Sequence, residues 1–240
     1  MNTKFYDLLG VVLRPAYKLL FPGSKVTGEE NIPAEGGFII CANHIHWNDC
    51  LYLAAKIRPR RITYIAKAEV FANKLFSLVL GEKGLGAIPI HRGEADLTAM
   101  RAALKVVADG DALGIFPQGT RSRDNTPTPM LNGVSMIALR AKAPIIPVYI
   151  DGPYRLFKRI DVRIGAPVDI SDLGRLPDAA TMNAITDRIA TAIWCQQGGA
   201  LHPVAAALAE PAAFAAALSV TGVHGAVVAP RLLRSVSGRG

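Results

Sequence analysis

His44 and Asp49 sit five residues apart in the stretch CANHIHWNDC, Cys41 to Cys50. On a regular helix that spacing is about 500° of rotation, so the two side chains would not share a face. They meet only where the chain turns between them, as at a strand end running into a helix. There the carboxylate accepts from one ring nitrogen, fixes the tautomer and supports the imidazolium, and the other nitrogen becomes a base. No GxSxG nucleophile elbow accompanies the pair. A His–Asp pair without its own nucleophile suits a reaction whose substrate brings the hydroxyl. The same residues admit a rival reading: His44-x-His46 with Asp49 is also metal-ligand spacing, for which His91 would have to come from another strand.

Two further stretches carry charge at places where phosphate could be held. GAIPIHR puts Arg92 just past an apolar run, and FPQGTRS puts Arg121 in a segment opened by Pro117 and Gly119. Arginine contacts phosphate bidentately, and a glycine lets backbone amides approach it. LGEKGLG lacks the GK[ST] of a P-loop, and GLGAIP is too short a match for a dinucleotide fingerprint.

The elements that must position these groups alternate. GGFIICAN reads as a strand buried on both faces, DCLYLAAKI as a helix capped by Asn48 or Asp49, RRITYIAK as a strand, and VFANKLFSLVLG as a helix stopped at Gly81. LGAIPIHR is a strand. EADLTAMRAALKVVADG is an amphipathic helix with Leu97, Met100, Leu104 and Val107 as its stripe. ALGIFP, PIIPVYI and IDVRIGAPV are strands, while LNGVSMIALRAK and ATMNAITDRIATAIWCQQ are helices. This order predicts an α/β fold, a mostly parallel central sheet flanked by helices, with ligands beyond the carboxyl ends of the strands. The polar stretches after GGFII, GAIPI and LGIF all fall at such ends.

Residues 1–24 read as an N-terminal amphipathic helical segment. Phe5, Leu8, Val12 and Leu19 fall on one face and Lys4, Asp7, Arg14 and Lys18 on the other, and Pro15 predicts two short helices rather than one. Such a segment either lies in a membrane interface or packs on the domain. Residues 25–197 form the main domain. Residues 198–240 are an Ala-rich extension without evident chemistry.

Composition narrows the partners. The chain has 240 residues, 50% apolar and 19% charged, with 27 Lys and Arg against 19 Asp and Glu. The net charge of +8 favours anionic partners, and six basic residues against Glu69 alone lie between Lys56 and Lys74. Three cysteines without a CxxC argue for a reducing compartment and against a disulfide scaffold or structural zinc. No cleavable signal peptide and no spanning segment is expected. Nor is nucleic acid, since no recognition motif or aromatic-studded basic strand accompanies the charge.

NHIHWND with His44 and Asp49, GAIPIHR with Arg92, FPQGTRS with Arg121 and APIIPV with Pro147 occur in that order. Together they resemble the four sequence blocks of the 1-acylglycerol-3-phosphate acyltransferase family, and YIAKAEVF with Lys67 resembles its segment between the first two. The resemblance implies an enzyme of phospholipid biosynthesis that moves an acyl group from acyl-CoA or acyl-carrier protein to the hydroxyl of lysophosphatidate, giving phosphatidate. It implies His44 as base, Asp49 as its orienting acid, and Arg92, Arg121, Lys67, Gln118, Gly119 and Thr120 as substrate-binding residues. It also implies no cofactor or metal, and a peripheral place on the cytosolic face of the cytoplasmic membrane. Where the family's third block usually has glutamate, this chain has Gln118, and His46 replaces a small polar residue. The glutamine leaves open another glycerol-phosphate or lysolipid acceptor, or a weakly catalytic lipid-binding relative.

Overall fold

A computed structural model describes residues 3–197 except 59, 83, 92–95 and 175; residues 198–240, including the Ala-rich extension, lie outside them. The chain runs α1 (Thr3–Leu20), β1 (Val26–Thr27), β2 (Phe38–Ala42), α2 (Asp49–Lys56), β3 (Ile62–Lys67), α3 (Lys74–Leu80) and β4 (Ile88–Ile90). It continues with α4 (Leu97–Ala108), β5 (Ala112–Ile115), α5 (Gly133–Ala141), β6 (Ile145–Asp151), β7 (Asp161–Ile164) and α6 (Ala179–Trp194). The seven strands form one sheet in the order β1-β7-β6-β2-β5-β3-β4. All neighbours are parallel except β6 and β7.

β2 lies between β5 and β6, and every residue of FIICA is buried. Its alternate residues feed two cores, which is why the run is apolar throughout. Phe38, Ile40 and Ala42 pack with Tyr52 and Leu53 of α2 and with Tyr6 and Tyr17 of α1. Ile39 and Cys41 pack with Ala103 of α4, Ile137 of α5 and Ile189 of α6. Because β2, β3, β4 and β5 run parallel, their carboxyl ends share one rim, and the segments bearing His44, Lys67 and Arg121 emerge there.

Three local expectations need correction. α1 is one continuous helix through Pro15. The ring removes the amide that would pair with the Val11 carbonyl, but Val11 is on the exposed side, where water can replace it. The α3 region is divided: a short 3₁₀ turn covers Ala68–Ala72, and Asn73 then caps α3 by accepting from the Leu75 and Phe76 amides. In α4 the buried positions are Ala99, Ala103 and Val107, while Leu97 is exposed. Small residues face the sheet because they let the helix approach it, and Met100 and Leu104 pack only at the margin.

α1 uses a face other than the one its hydrophobic pattern suggested. Tyr6 and Tyr17 are buried, the Tyr6 hydroxyl accepts from the Ile62 amide, and Asp7 pairs with Arg58 and Arg61. Leu8, Val11, Val12 and Leu19 remain exposed as a strip at helical spacing. The Phe5 side chain lies outside the described residues. No described helix is long and apolar enough to cross a membrane.

Candidate active site

The loop between β2 and α2 is fixed from both sides. Asn43 is fully buried: its Oδ1 accepts from the Ile150 amide at 2.7 Å, and its Nδ2 donates to Ile150 O at 3.0 Å and to Asn125 Oδ1 at 2.8 Å. That ties the end of β2 to β6. At the other end, the Asp49 carboxylate folds back over the turn that leads into α2. One oxygen, Oδ2, accepts from the Ile45 amide at 2.8 Å, the His46 amide at 2.9 Å and His44 Nδ1 at 2.7 Å. Asp49 is therefore the expected helix-start residue, but it caps the preceding loop rather than the helix. Asn48 precedes it without a side-chain cap, its Oδ1 accepting instead from the Tyr17 hydroxyl at 2.6 Å.

Asp49 is wholly buried, and the His44 side chain keeps 22% of its surface exposed. Since a carboxylate only accepts, Nδ1 carries the proton and Nε2 is left with its lone pair. The imidazole stacks on Phe116 at 4.3 Å between centroids, and Phe116 stacks in turn on Tyr64. Tyr64 can lie there because β5 has glycine beneath it: a Cβ on Gly114 would come within 2.5 Å of the Tyr64 ring. Asp49 Oδ1 is buried without a partner among the described residues, as is the Tyr154 hydroxyl. Burial first, and the Asp49 charge second, hold the Tyr154 phenol well above its ordinary value, so an O–H stays beside the carboxylate.

The loop after β5 is bolted to His44 itself. The His44 amide donates to Gln118 Oε1 at 2.6 Å, and the His44 carbonyl accepts from the Ser122 amide at 2.8 Å. Gln118 Nε2 donates to Thr128 Oγ1. Both ends of this buried amide are thus used within the protein, and Gln118 stands behind the site rather than on its wall. Gly119, at φ +66°, makes the left-handed turn that brings Thr120 and Arg121 round to the front.

A groove of about 570 Å³ opens beside His44. Tyr64, Val70, Phe76, Leu80, Ala87 and Phe116 give it apolar walls, and Lys67, Thr120 and Arg121 supply polar edges. Lys67 ends β3 and pairs with Glu69 at 2.9 Å. Cys50 also lines the groove, and burial pushes its thiol up to about 12. Arg121 has no carboxylate partner among the described residues. Arg92 lies outside them; β4 ends two residues earlier, and its Ile90 pairs with Lys67.

The structure thus brings His44, Asp49, Lys67, Gly119, Thr120 and Arg121 to one rim. Sequence reasoning missed Asn43, Ser122, Asn125 and Tyr154. Asn43 was visible as a polar residue closing an apolar strand, but its partners come from far along the chain. His46 is not poised as a ligand: its Nδ1 accepts from the Asn48 amide at 3.3 Å, and its ring packs on Tyr154. Among the described residues no cluster of His, Cys, Asp or Glu is placed to hold a metal ion.

The sequence model of the family described as Acyltransferase matches residues 23–151. A 1-acyl-sn-glycerol-3-phosphate acyltransferase of Bacillus subtilis (strain 168) is 34% identical over 172 residues, which cover 70% of this chain and 84% of that protein. The chain belongs to the 1-acyl-sn-glycerol-3-phosphate acyltransferase family. A second family member, of the same name, from Streptococcus pneumoniae (strain ATCC BAA-255 / R6) is 31% identical over 160 residues, covering 64% of this chain and 58% of that protein. The family fold is seen in the crystal structure of the 1-acyl-sn-glycerophosphate (LPA) acyltransferase, PlsC, from Thermotoga maritima. It superimposes with a TM-score of 0.58 over 77% of this chain and 78% of that one, at 24% identity. Matched residues 23–151 contain the loop of His44 and Asp49, Lys67 and the turn of Arg121, so the family's region is the one that builds this rim.

Proposed function

We propose that this chain acylates lysophosphatidate to phosphatidate, with His44 as general base. The observation that carries the reading is the 2.7 Å contact between His44 Nδ1 and a buried Asp49 oxygen, on a ring that lines an apolar groove. Nε2 takes the proton of the acceptor hydroxyl, and the oxygen attacks the thioester carbonyl. The resulting imidazolium is supported by Asp49. Collapse of the tetrahedral intermediate breaks the carbon–sulfur bond, and the departing sulfur takes the proton back from His44 as a thiol. Base assistance of this kind supplies about 10²–10⁴ in rate, with positioning supplying much of the rest.

Direct transfer needs no acyl-enzyme, because the acceptor brings its own nucleophilic hydroxyl to His44. The oxyanion falls to the Thr120–Arg121 turn. The His44 amide is committed to Gln118, the Ile45 and His46 amides to Asp49, and the Gly119 amide to Phe116 O. The groove takes the acyl chain, and Lys67, Arg121 and Arg92 favour the acceptor's phosphate. Acyl-CoA or acyl-carrier protein serves as donor, and base, oxyanion donors and cations complete the reaction without a cofactor. Gln118 meets the His44 amide with its carbonyl, as a glutamate oxygen would, and does not itself line the groove; its departure from the family pattern leaves the acceptor unchanged.

The exposed strip Leu8, Val11, Val12 and Leu19, with Arg14 and Lys18 beside it, seats the protein on the membrane that holds its acceptor and product. Since the thioester donors are cytosolic, the face is the cytosolic one. The test is a competition: several lysolipids are offered together with an acyl thioester, and the product lipid is identified by mass. Phosphatidate should dominate; a product from another acceptor in excess would overturn the assignment.

A further inference from the structure

Three tyrosines meet against the turn of the catalytic pair. The Tyr52 ring is 5.2 Å from Tyr17 and 5.7 Å from Tyr154 between centroids, both edge to face. Two of their hydroxyls have partners: Tyr17 donates to Asn48 Oδ1 at 2.6 Å, and Tyr52 donates to Ile160 O at 2.7 Å. The third, on Tyr154, is buried without one among the described residues. So is Asp49 Oδ1, the oxygen left bare while Oδ2 takes the Ile45 amide, the His46 amide and the His44 ring. One of these buried atoms can donate, and the other can only accept.

The chain is built to bring the two together. Asn43 ties Ile150 to the end of β2. Two residues on, Gly152 passes so close to the loop that a Cβ there would lie 2.1 Å from the Ile45 side chain. Tyr154 follows, its ring held by His46 at 4.8 Å, Phe21 at 5.6 Å and Tyr52. Its hydroxyl then lies at the edge of bonding distance from the carboxylate. The Tyr64 hydroxyl, also buried without a partner among the described residues, feels Asp49 only as a charge. The Tyr154 ring borders a cavity beside His46 and Trp47, but the buried hydroxyl points away from any space a substrate could fill.

Resting on the proposed reaction, we propose that Tyr154 is the positioning residue of the catalytic pair: its hydroxyl donates to Asp49 Oδ1 and acts on His44 through that carboxylate. The torsion that turns a carboxylate plane is soft. Three donors fix Oδ2, and a fourth on Oδ1 fixes the plane, so that Oδ2 stays on the His44 ring. The same charge-assisted bond partners the side of the carboxylate that burial otherwise leaves uncovered. The negative charge is then in place when the imidazolium forms.

The test is a double-mutant cycle on the purified full chain: wild type, Tyr154→Phe, Asp49→Asn and the double variant, assayed with lysophosphatidate and an acyl thioester and unfolded in urea. Phenylalanine keeps the ring in its packing and deletes the oxygen alone, and rates are read below the melting onset of every variant. Tyr154→Phe should lower kcat about tenfold or more, because a bond to a charged group is lost, with KM for either substrate within about twofold of wild type. In the Asp49→Asn background, where the bond is neutral, the same change should cost less than about threefold. The urea midpoints should repeat the pattern independently of turnover, with a larger drop on Tyr154→Phe beside the native aspartate than in the Asp49→Asn background. A kcat unchanged by Tyr154→Phe, an equal loss in both backgrounds, or a change confined to KM would overturn the positioning role. Wild-type protein that makes no phosphatidate would instead sink the proposed reaction, and equal midpoint drops in the two backgrounds would still overturn the bond.

Discussion

Asp49 has two separable duties, and two substitutions pull them apart. Its Oδ2 takes three donors, the Ile45 and His46 amides and the His44 ring. Asparagine at this position keeps an oxygen for all three and turns its amino group toward the side where the Tyr154 hydroxyl can accept. Exchanging a charged for a neutral acceptor costs up to about 1.5 kcal/mol per bond. Relief from burying a charge works the other way by several kcal/mol. The net change in stability for Asp49→Asn is therefore within about 2 kcal/mol in either direction. The catalytic loss is larger. A carboxylate about 4 Å from an imidazolium is worth roughly 4 kcal/mol at an effective dielectric constant of about 20. That corresponds to about a thousandfold in rate. Asp49→Ala instead leaves the amides without an acceptor, at about 1–3 kcal/mol for each that is buried. That is a large share of a typical total of about 5–15 kcal/mol. Urea midpoints and initial rates of thiol release on the same preparations read both quantities. The reasoning fails if Asp49→Asn turns over within tenfold of wild type, or if Asp49→Ala unfolds at the wild-type midpoint.

Three other outcomes follow from particular contacts. Gln118→Glu keeps the oxygen that accepts from the His44 amide, and Thr128 can rotate its hydroxyl to donate, so turnover should stay within about threefold; a change of tenfold or more in either direction means that the amide does more than hold the loop. Burial alone would raise Asp161, but the Arg159 guanidinium and the Lys25 amide overcome it and hold the carboxyl below its usual value. A depressed folded value contributes stability that is present above about pH 4 and lost as pH falls through that value, so the advantage of wild type over Asp161→Asn in urea should shrink between pH 5 and acid pH, and a constant difference would contradict it. Replacing Leu8 and Val12 with glutamate should lower binding to anionic vesicles in a flotation assay without shifting the melting point, because both side chains are exposed; unchanged flotation would mean that α1 is not the membrane contact.

The alternating elements were legible because buried parallel strands and amphipathic helices write themselves as apolar runs and helical periods. FIICA could be read as doubly buried from its composition alone. The turn between His44 and Asp49 was legible too, since only a turn lets residues at that spacing meet. The facing of helices was not. In α4 the side toward the sheet is set by how closely the helix must approach, which favours Ala99 and Ala103 over the larger Leu97. In α1 the buried side was chosen by Tyr6 and Tyr17, whose hydroxyls find a backbone amide on β3 and Asn48 in the loop, partners that no local pattern announces. The clamp of Asn43 on Ile150 and Asn125 is long-range in the same way. Gln118 stood out as a departure from a pattern, and only coordinates place its amide behind the base.

The most direct test concerns the ring that this whole arrangement holds. Purified wild type and His44→Ala are given lysophosphatidate and an acyl thioester, and phosphatidate formation is followed under single-turnover conditions. A loss of at least a hundredfold in rate, in a variant whose melting point is unchanged, is the expected result. Phosphatidate formed by His44→Ala at the wild-type rate would mean that another group takes the proton.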